Sequence, residues 1–525
     1  MDTKALRQKI LDLAIRGKLV PQDPNDEPAE VLLERIREQK QQMLKEGKLK
    51  KKDIKNDTII FKGEDNLHYE KFQDGTIKCI EDEIPFEVPE GWAWCKLNDI
   101  YNFIDYRGAT PTKITNGIPL VTAKNVKSGY IDYTIDDYIS EEEFKERQQR
   151  GISKKGDILF TTEAPLGNAA LADMEKFSAG QRLITFQQYG SKNELINYVM
   201  LMFILSDFFQ QQLYVNKTGS TVAGIKAAIL KTLWIPVPPY NEQLRISKTL
   251  KSAINLIDSI SKNKEILSTS ISNTKSKILD LAIRGKIVPQ DPNDEPASVL
   301  LERIRAEKEE LIKQGKIKRD KKESVIFKGD DNSYYLRTGR VEESLEDWRF
   351  DDLPETWKIC CLGELCDYGD CINVNTEDIA EDAWILDLED IEKDTGTVLK
   401  KVTKDQRNSV STKHKFHSGQ VLYSKLRPYL NKVVLSDADG YCTSEILPLE
   451  FKNCVLPEYA RYYLMSGTFI AYANHCSYGV KMPRLGTTDG KKAIFSLPPL
   501  SEQKRIVETI DFCFVQLNKI SEALA

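Results

Sequence analysis

Residues 10–29 read ILDLAIRGKLVPQDPNDEPA, and residues 278–297 read ILDLAIRGKIVPQDPNDEPA. Nineteen of the twenty positions are identical, and the similarity continues from residues 32–51 into residues 300–318. Self-similarity at a fixed distance is the sequence signature of a repeated structural unit. The 525-residue chain is therefore predicted to contain two copies of one module.

A second repeated block closes each module. Residues 238–243 read PPYNEQ and residues 498–503 read PPLSEQ, and in both copies an arginine and an isoleucine follow. Residues 91–235 and 356–497, which lie between the repeated blocks, have similar lengths but no appreciable resemblance to each other. We interpret the chain as a repeated frame with two different inserts. Such a frame suits a protein that docks the same partner twice while each insert reads something different.

A long helix is predicted to join the two modules. Residues 242–285 contain no proline and no glycine before Gly285, a residue type that often ends helices. At about 1.5 Å per residue, a helix of this length spans roughly 65 Å. Steps of four and three residues define an apolar heptad seam along it, with Ile246, Leu250, Ile257, Ile260, Leu267, Ile271, Ile278 and Leu281.

The two ends of the chain carry the same seam pattern. The C-terminal segment 502–525 matches 242–265 and places Ile506, Ile510, Leu517 and Ile520 on its seam, and the N-terminal segment matches from about residue 270 onward. We predict a mixed α/β fold with two inserted domains on long antiparallel coiled-coil spacers, in a circular, pseudo-two-fold arrangement where the termini meet. The alternative is a pair of unrelated terminal helices.

These landmarks divide the chain into five parts. The predicted segments are 1–55 (N-terminal spacer part and charged segment), 56–235 (first inserted domain), 236–325 (central region with the long helix), 326–497 (second inserted domain) and 498–525 (C-terminal spacer helix). The charged stretches 34–55 and 302–322 are helix-favouring and are interpreted as exposed helices or linkers, with DNA-binding arms as the alternative.

Composition excludes several classes of protein. The chain is 41% hydrophobic and 30% charged, which is typical of globular domains, and it contains no apolar run long enough for a membrane span and no secretory signal. The ten cysteines and four histidines have no zinc-ligand spacing, so we expect reduced thiols, no metal and a cytoplasmic location.

The net charge of −5 hides a local segregation of charge. Residues 361–390 contain ten acidic and no basic side chains, whereas residues 400–432 contain nine Lys or Arg and a single acid. This pattern can make one face of the second insert electropositive. The alternative is that the two stretches pair with each other.

The frame resembles the conserved regions of specificity subunits of type I restriction-modification systems. The matching signatures are AIRGKLVPQ at 14–22, its copy at 282–290, and the Pro-Pro-x-x-Glu-Gln-x-x-Ile helix starts at 238 and 498. The resemblance covers nearly the whole chain. It implies that the inserts are mixed α/β target-recognition domains that read a bipartite DNA sequence, one half each.

Both inserts carry motifs of such domains. Gly108 to Pro111 and Ile118 to Val126 resemble the opening of a target-recognition domain, and Gly156 to Phe160 resemble a recurring turn and strand. The counterpart of this turn in the second insert is Ser418 to Tyr423, where Gln420 replaces the usual acidic residue. The second turn therefore departs from the family pattern at this position.

Residue types suited to DNA contact cluster in the insert loops. Arg and Lys pair with guanine, Asn and Gln pair with adenine, and Lys, Ser and Thr bind phosphates. In the first insert the candidates are Arg107, Thr110, Lys124, Asn125, Lys127, Lys217, Ser220, Thr221 and Lys226. In the second insert they are Lys413, Lys425, Arg427, Tyr429, Asn431, Lys432, Lys481 and Arg484.

Catalytic motifs are missing from the sequence. Residues 237–240 (VPPY) miss the Asn/Asp-Pro-Pro-Tyr motif of amino-methyltransferases at its first position, and no Gly-x-x-x-x-Gly-Lys-Ser/Thr loop for ATP is present. We therefore expect no enzyme activity and no cofactor in this chain. The resemblance implies two modification subunits that bind S-adenosylmethionine and restriction subunits that use ATP and Mg²⁺. A fused modification enzyme and a coiled-coil assembly protein without sequence-specific DNA binding stay open as alternatives.

Overall fold

The computed structural model describes residues 2–54, 57–106, 110–189, 194–219, 223–316, 324–345, 352–407 and 411–524, with the side chain of Lys52 left out. The chain forms two compact units, Met1–Asn263 and Lys264–Ala525. The predicted mixed α/β class is confirmed. No helix in the described ranges combines the length and apolar character needed to cross a membrane.

Most helices of the first unit lie near the beginning and the end of its sequence. They are α1 (Thr3–Ile15), α2 (Ala29–Lys45), α3 (Lys51–Ile54), α4 (Leu97–Ile100), α5 (Glu141–Arg147), α6 (Asn197–Ile204), α7 (Asp207–Val215) and α8 (Ala227–Leu230). Its strands are β1 (Ile59–Lys62), β2 (His68–Lys71), β3 (Ile77–Cys79), β4 (Ala93–Lys96), β5 (Tyr101–Asp105), β6 (Ile118–Val121), β7 (Tyr138–Ile139), β8 (Ile158–Thr161), β9 (Ala169–Leu171), β10 (Ser178–Ala179), β11 (Leu183–Gln188) and β12 (Trp234–Val237).

Small sheets form the body of the first unit. A three-stranded meander, β1-β2-β3, precedes a four-stranded sheet of order β5-β11-β8-β9, and a further sheet has the order β10-β6-β7. The antiparallel pair β4 and β12 joins the two edges of the insert. Every residue of β8 is buried, as expected for a strand inside its sheet.

The long helix α9 spans Tyr240–Ala282, close to the predicted 242–285. It begins directly after two prolines, which cannot continue a helix upstream, and Gly285 follows its end with φ of +66°. The boundary between the two units falls within α9, so each unit contains one part of this helix.

The second unit repeats the order of elements. Its helices are α10 (Ala297–Lys313), α11 (Leu362–Leu365), α12 (Pro457–Leu464), α13 (Gly467–His475), α14 (Thr487–Lys492) and α15 (Leu500–Leu524). Its strands are β13 (Ser324–Lys328), β14 (Tyr334–Thr338), β15 (Val341–Ser344), β16 (Lys358–Cys361), β17 (Ile372–Val374), β18 (Trp384–Leu386), β19 (Val402–Thr403), β20 (Lys413–Phe416), β21 (Val421–Ser424), β22 (Val433–Leu435), β23 (Gly440–Thr443), β24 (Ile446–Leu449) and β25 (Ile494–Leu497). They form sheets β13-β14-β15, β17-β20-β23-β18-β19, β22-β21-β24 and β16-β25.

A buried glutamate near the start of α9, and its counterpart near the start of α15, hold the two frames together. In the first unit Glu242 accepts hydrogen bonds from Trp92 Nε1 and Gln22 Nε2, both at 2.9 Å. In the second unit Glu502 accepts them from Trp357 and Gln290. Burial raises the pKa of both carboxyls above the ordinary value of a glutamate. These bonds explain why the glutamate recurs in both repeats.

The glutamine and the arginine that follow this glutamate also make equivalent bonds in both units. Gln243 Oε1 accepts from the Ile196 amide at 2.8 Å, and Gln503 Oε1 accepts from the Leu456 amide at 2.8 Å. Arg245 pairs with Asp26, and Arg505 pairs with Asp294. The glutamate and arginine of the repeated Glu-Gln-x-Arg segment therefore fasten the helix start to the loop that precedes α2 or α10. The glutamine fastens it to the residue before α6 or α12.

Each terminal helix lies along its own part of α9. Arg7 of α1 pairs with Asp258, while Gln22 and Asp26 after α1 reach back to the start of α9, so α1 runs antiparallel to it. In the second unit Lys275 Nζ donates to Asn518 Oδ1 of α15 at 2.6 Å. Residues 7 and 275 are equivalent in the repeat register, as are 258 and 518. The same contact therefore recurs in each unit.

The predicted seam is buried near the ends of α9 and open toward its middle. Ile246, Leu250, Ile257, Ile271, Ile506 and Ile510 are buried; Ile260, Ile278, Leu281 and Leu517 are half-buried. Leu267 and Ile520 are exposed, contrary to the predicted seam. Ile254 is buried where the strict heptad placed Ala253. The end of the helix packs on a globular unit, which covers a wider stripe than a partner helix does.

Candidate nucleic-acid interface

In each unit, two loops from distant parts of the insert are joined by main-chain hydrogen bonds. The paired loops of the first unit are residues 162–168, after β8, and 218–224, before α8. The Ile225 amide donates to Thr162 O at 3.0 Å, and Thr218 and Gly224 bond each other at 2.8 and 3.0 Å. Residues 220–222 of the second loop lie outside the described residues.

The paired loops of the second unit are residues 425–431, after β21, and 478–484, before α14. The Leu485 amide donates to Lys425 O at 3.0 Å, and Tyr478 and Arg484 bond each other at 3.1 and 2.9 Å. Strand β21 is the counterpart of β8, so these bonds are the same as those of the first unit at equivalent positions. The two inserts therefore share a loop scaffold although their sequences have little overall resemblance.

The turn before each of these strands is also shared. Asp157 Oδ2 accepts from the Lys154 amide at 2.7 Å and from Gln187 Nε2 at 2.8 Å. Gln420 Oε1 accepts from the His417 amide at 3.0 Å, so the amide at this position makes the same turn bond as the carboxylate. Burial raises the pKa of Asp157 to about 6. The second turn therefore keeps the same bond although Gln420 replaces the usual acidic residue.

Ion pairs hold the paired loops differently in the two units. In the first unit Arg182 pairs with Glu163 at 3.0 Å. In the second unit Glu445 occupies the position of Arg182 and receives a bidentate bond from Arg484, with distances of 2.9 to 3.1 Å. Arg484 is thus engaged by a carboxylate, which makes it a positioning residue for the loops in this structure.

The acidic and basic stretches of the second insert pair with each other, as the alternative interpretation held. Arg407 binds Asp387 and Asp390, Lys404 binds Glu381 at 2.9 Å, and Lys400 lies 3.8 Å from Asp390. Pairing removes most of this basic charge from the surface available to DNA. Lys425 and Arg427 have no carboxylate partner among the described residues and keep their charge for another ligand.

Several candidates are turned inward. Asn125 is 3% exposed, and its amide bonds Thr122, Asp132 O and Ile135 O, so it has no group left for a base. Lys413 is buried beside Ser411 and Asp387. Lys432 donates to Leu388 O at 2.6 Å, and burial lowers its pKa. Burial therefore removes Asn125 and Lys413 from the candidate surface, and Lys432 is largely committed to the fold.

Asn431 also has a structural position. It is buried, its φ is +48°, and its side-chain amide donates to Met465 O at 3.3 Å. A short polar side chain tolerates this left-handed conformation better than most. The residue shapes the end of the 425–431 loop.

The remaining candidates of the first unit that the structure describes are exposed or half-buried. Lys124 and Lys226 are exposed, and Lys217 lies over the ring of Tyr214 at 3.5 Å. Lys127 faces Asp132 at 3.8 Å, and Thr110 donates to Gln181 at 2.8 Å. Arg107, Ser220 and Thr221 lie outside the described residues. Their roles in DNA contact stay predictions.

Arg427 is the most unusual candidate of the second unit. Its φ is +50°, a left-handed conformation that costs a residue with a side chain about 1–2 kcal/mol. Its buried Nε has no hydrogen-bond partner in the described part of the chain, and its one side-chain hydrogen bond to a described residue goes from Nη2 to Lys481 O at 3.5 Å. Ala164, at the equivalent position of the first unit, has φ of +46°, so this conformation belongs to the shared loop scaffold and places whichever side chain stands there. Tyr429 and Lys481 beside it are exposed.

Sequence reasoning missed part of this interface. Residues 163–168 and the apolar side chains of the 478–484 loop were not among the candidates. The repeat register contained a weak signal, because Pro165 and Asn168 recur as Pro428 and Asn431. Among the described residues, no group of three or more His, Cys, Asp or Glu side chains is arranged to hold a metal ion.

Comparison with known proteins gives a consistent result. The sequence model of a family described as type I restriction modification DNA specificity domain matches residues 89–268 and 354–523. The specificity subunit of the type I restriction enzyme EcoAI from Escherichia coli is 28% identical over 98% of this chain and 90% of its own length. The EcoEI specificity subunit from the same species is 27% identical over 99% and 90%.

A solved structure supports the fold. One chain from a study of complex assembly and conformational transition of the type I R-M system has a TM-score of 0.52 and 16% identity, covering 84% of this chain and 94% of that chain. At this identity the likeness concerns the fold alone. The two family matches each begin near the tryptophan of one frame and extend into α9 or α15.

Proposed function

The chain belongs to the family of type I restriction-modification DNA specificity proteins, and we propose that it recognises a bipartite DNA target, one half with the paired loops of each unit. The observation that carries this proposal is the shared loop scaffold. Two loops in each unit keep the same main-chain bonds and three common residue types (Pro165 and Pro428, Asn168 and Asn431, Gly219 and Gly479), while their other side chains differ. A scaffold of this kind allows two different sequences to be read with one docking geometry.

The side chains of the paired loops fit this role. Base edges are read in the major groove by side chains with paired donors, above all by arginine at guanine. Arg427 has a guanidinium without a carboxylate partner, and Lys425 and Lys481 next to it are suited to phosphates. We assign Arg427 to base contact in the second half of the target.

The frame is proposed to bind partner subunits. Its duplicated helices α2 and α10 have one buried apolar edge and an exposed charged face. We propose that two modification subunits dock on the two frames and that restriction subunits join the complex. S-adenosylmethionine, ATP and Mg²⁺ are then bound by these partners in the cytoplasm, and the chain is not catalytic alone.

The long helix is proposed to act as a ruler. A continuous helix from Tyr240 to Ala282 is a stiff connection between the two recognition parts. We propose that it fixes the number of unspecified base pairs between the half-sites. Insertion of a heptad-preserving block within 250–275 is expected to lengthen that gap without changing either half-sequence. An unchanged gap would contradict the ruler.

The function is tested by co-expression of the chain with a candidate modification subunit and sequencing of methylated adenines on plasmid DNA. We expect a split motif in the wild type. The variant Lys425→Ala, Arg427→Ala should lose or relax one half of the motif, and Arg340→Ala should leave the motif unchanged because Arg340 is an exposed arginine in the β14–β15 turn.

Two results would overturn the proposal. Methylation without sequence preference would favour an assembly protein. Methyl transfer by the isolated chain, without any partner, would favour a fused modification enzyme.

A further inference from the structure

The tip of the 478–484 loop exposes large apolar side chains. Val480 is fully exposed, Tyr478 is 63% exposed and Met482 is 46% exposed. Apolar side chains gathered at one loop tip have no role in the core of the second unit. A contact with another molecule is the usual reason for such a group.

The backbone of this tip is nevertheless held firmly. Three consecutive carbonyl groups accept hydrogen bonds from the two arginines of the paired loops. Arg427 Nη2 reaches Lys481 O at 3.5 Å, Arg484 Nη1 donates to Met482 O at 3.2 Å, and the Arg427 amide donates to Pro483 O at 2.7 Å. Because the tip is already ordered, a ligand that binds it pays little conformational entropy.

The surroundings of the tip select a polyanion. Lys481 lies between the two apolar side chains in the sequence, and neither Arg427 nor Lys425 of the adjoining loop pairs with a carboxylate in the described residues. Apolar groups surrounded by unpaired cations do not suit a buried protein interface core, which is depleted of charge. They do suit DNA, whose base edges lie between two rows of phosphates.

The apolar character is shared at the position of Met482, where the first unit has Val222, but not at the position of Val480. The corresponding sequence of the first unit is TGSTVAG at 218–224, with Ser220 at the position of Val480. The side chain at this position thus varies between the two halves, as expected of a residue that sets specificity. The 5-methyl group of thymine is the one apolar group among the base edges of the major groove.

We propose that Val480 and Met482 recognise a thymine in the second half of the target through its methyl group. This inference rests on the proposed function. Arg427 then supplies polar contact from the neighbouring loop, and the tip supplies an apolar contact that hydrogen-bonding side chains cannot provide.

The test uses the complex of the full chain with its modification subunit, on duplexes that carry the mapped target. Each thymine of the second half-site is replaced by uracil, which removes only the methyl group. At one position the wild-type complex should lose about fourfold in affinity, the effect expected for exposing one methyl group. In Val480→Ser and Met482→Ala this loss should shrink or vanish, while the control Val341→Ser, an exposed valine of β15, should keep it.

Failures of the two ideas are distinguishable. A wild-type complex without any preferred target overturns the proposed function, and this inference with it. A specific target whose second half has no thymine, or in which uracil binds as well as thymine, overturns the inference alone. Weaker binding of the tip variants to all sequences, with an unchanged uracil penalty, would mean that the tip inserts between base steps and does not read the methyl group.

Discussion

The two units of this chain differ least where their sequences are most alike and also, less expectedly, where they are most unlike. The frames share their sequence and their bonds, from Trp92 and Glu242 to Trp357 and Glu502. The paired loops share few side chains, among them Pro165 with Pro428 and Asn168 with Asn431, yet the bond from Ile225 to Thr162 recurs from Leu485 to Lys425. Main-chain bonds thus preserve a geometry while the side chains are free to change. A recognition module with variable specificity needs a constant backbone geometry and variable side chains.

The largest expected effect tests whether the two frames are structurally equivalent. Gly17 and Gly285 have φ of +64° and +66°, and an added Cβ would overlap Pro89 in one unit and Pro354 in the other. Alanine at either position should cost about 2–5 kcal/mol of unfolding free energy, from the left-handed backbone and the overlap together. Chemical denaturation of the two variants measures this cost.

The control for these variants is Gly47→Ala or Gly315→Ala. Both glycines also have positive φ but nothing within 4 Å of an added Cβ, so only the backbone cost of about 1–2 kcal/mol remains. Clearly unequal losses for Gly17→Ala and Gly285→Ala would break the equivalence of the two frames.

The turn before β8 should make the stability of the first unit depend on pH, whereas the turn before β21 should not have this effect in the second unit. Asp157 has a folded pKa of about 6, above its ordinary value of 3.8, so its contribution to stability is present below about pH 4 and is lost as the pH rises toward 6. The loss is on the order of 2–3 kcal/mol. Asp157→Asn should therefore gain stability relative to the wild type between pH 4 and pH 6, as measured by denaturation at each pH.

Gln420 is the neutral counterpart and provides the comparison. Gln420→Met removes the turn bond without removing a charge, so its difference from the wild type should be constant over the same pH range. If Asp157→Asn is equally constant, the carboxyl is ionised at its ordinary pKa and the two turns are alike.

The ion pairs of the paired loops should differ in strength. Arg484 makes a bidentate pair with Glu445 and also holds Met482 O, so Arg484→Ala should loosen the loops and speed exchange of their amides. Arg182 and Glu163 are more exposed, and Arg182→Ala should cost about 0–1 kcal/mol. Hydrogen exchange of the 478–485 amides reports the first effect, and exchange of 223–225 reports the second. Similar protection in both variants would show that the main-chain bonds alone hold the loops.

The sequence predicted the frame far better than the interface. Nearly identical repeats and a long helix without glycine indicate their structure directly, and Glu242 and Glu502 were visible in the repeated motif. The paired loops are formed by main-chain bonds between segments about sixty residues apart, and such bonds leave only a short trace in the sequence, such as Pro165 and Pro428. For the same reason Asn125 and Lys413 were candidates by type, although their neighbours bury them. Residue type indicates which chemistry is possible, and only the fold determines whether it reaches the surface.

The smallest expected effect concerns the kind of contact that each unit makes. Lys226 of the first unit is exposed immediately before α8, whereas Gly486 stands at this position in the second unit. If Lys226 binds a phosphate, Lys226→Ala should weaken binding to specific and unrelated DNA alike and reduce the slope of log affinity against log salt by about 1. Salt titrations of the complex measure this slope, with Lys145→Ala on α5 as the control. A change in the preferred bases at an unchanged slope would instead make Lys226 a base reader, and both units would then read sequence with long cationic side chains next to the paired loops.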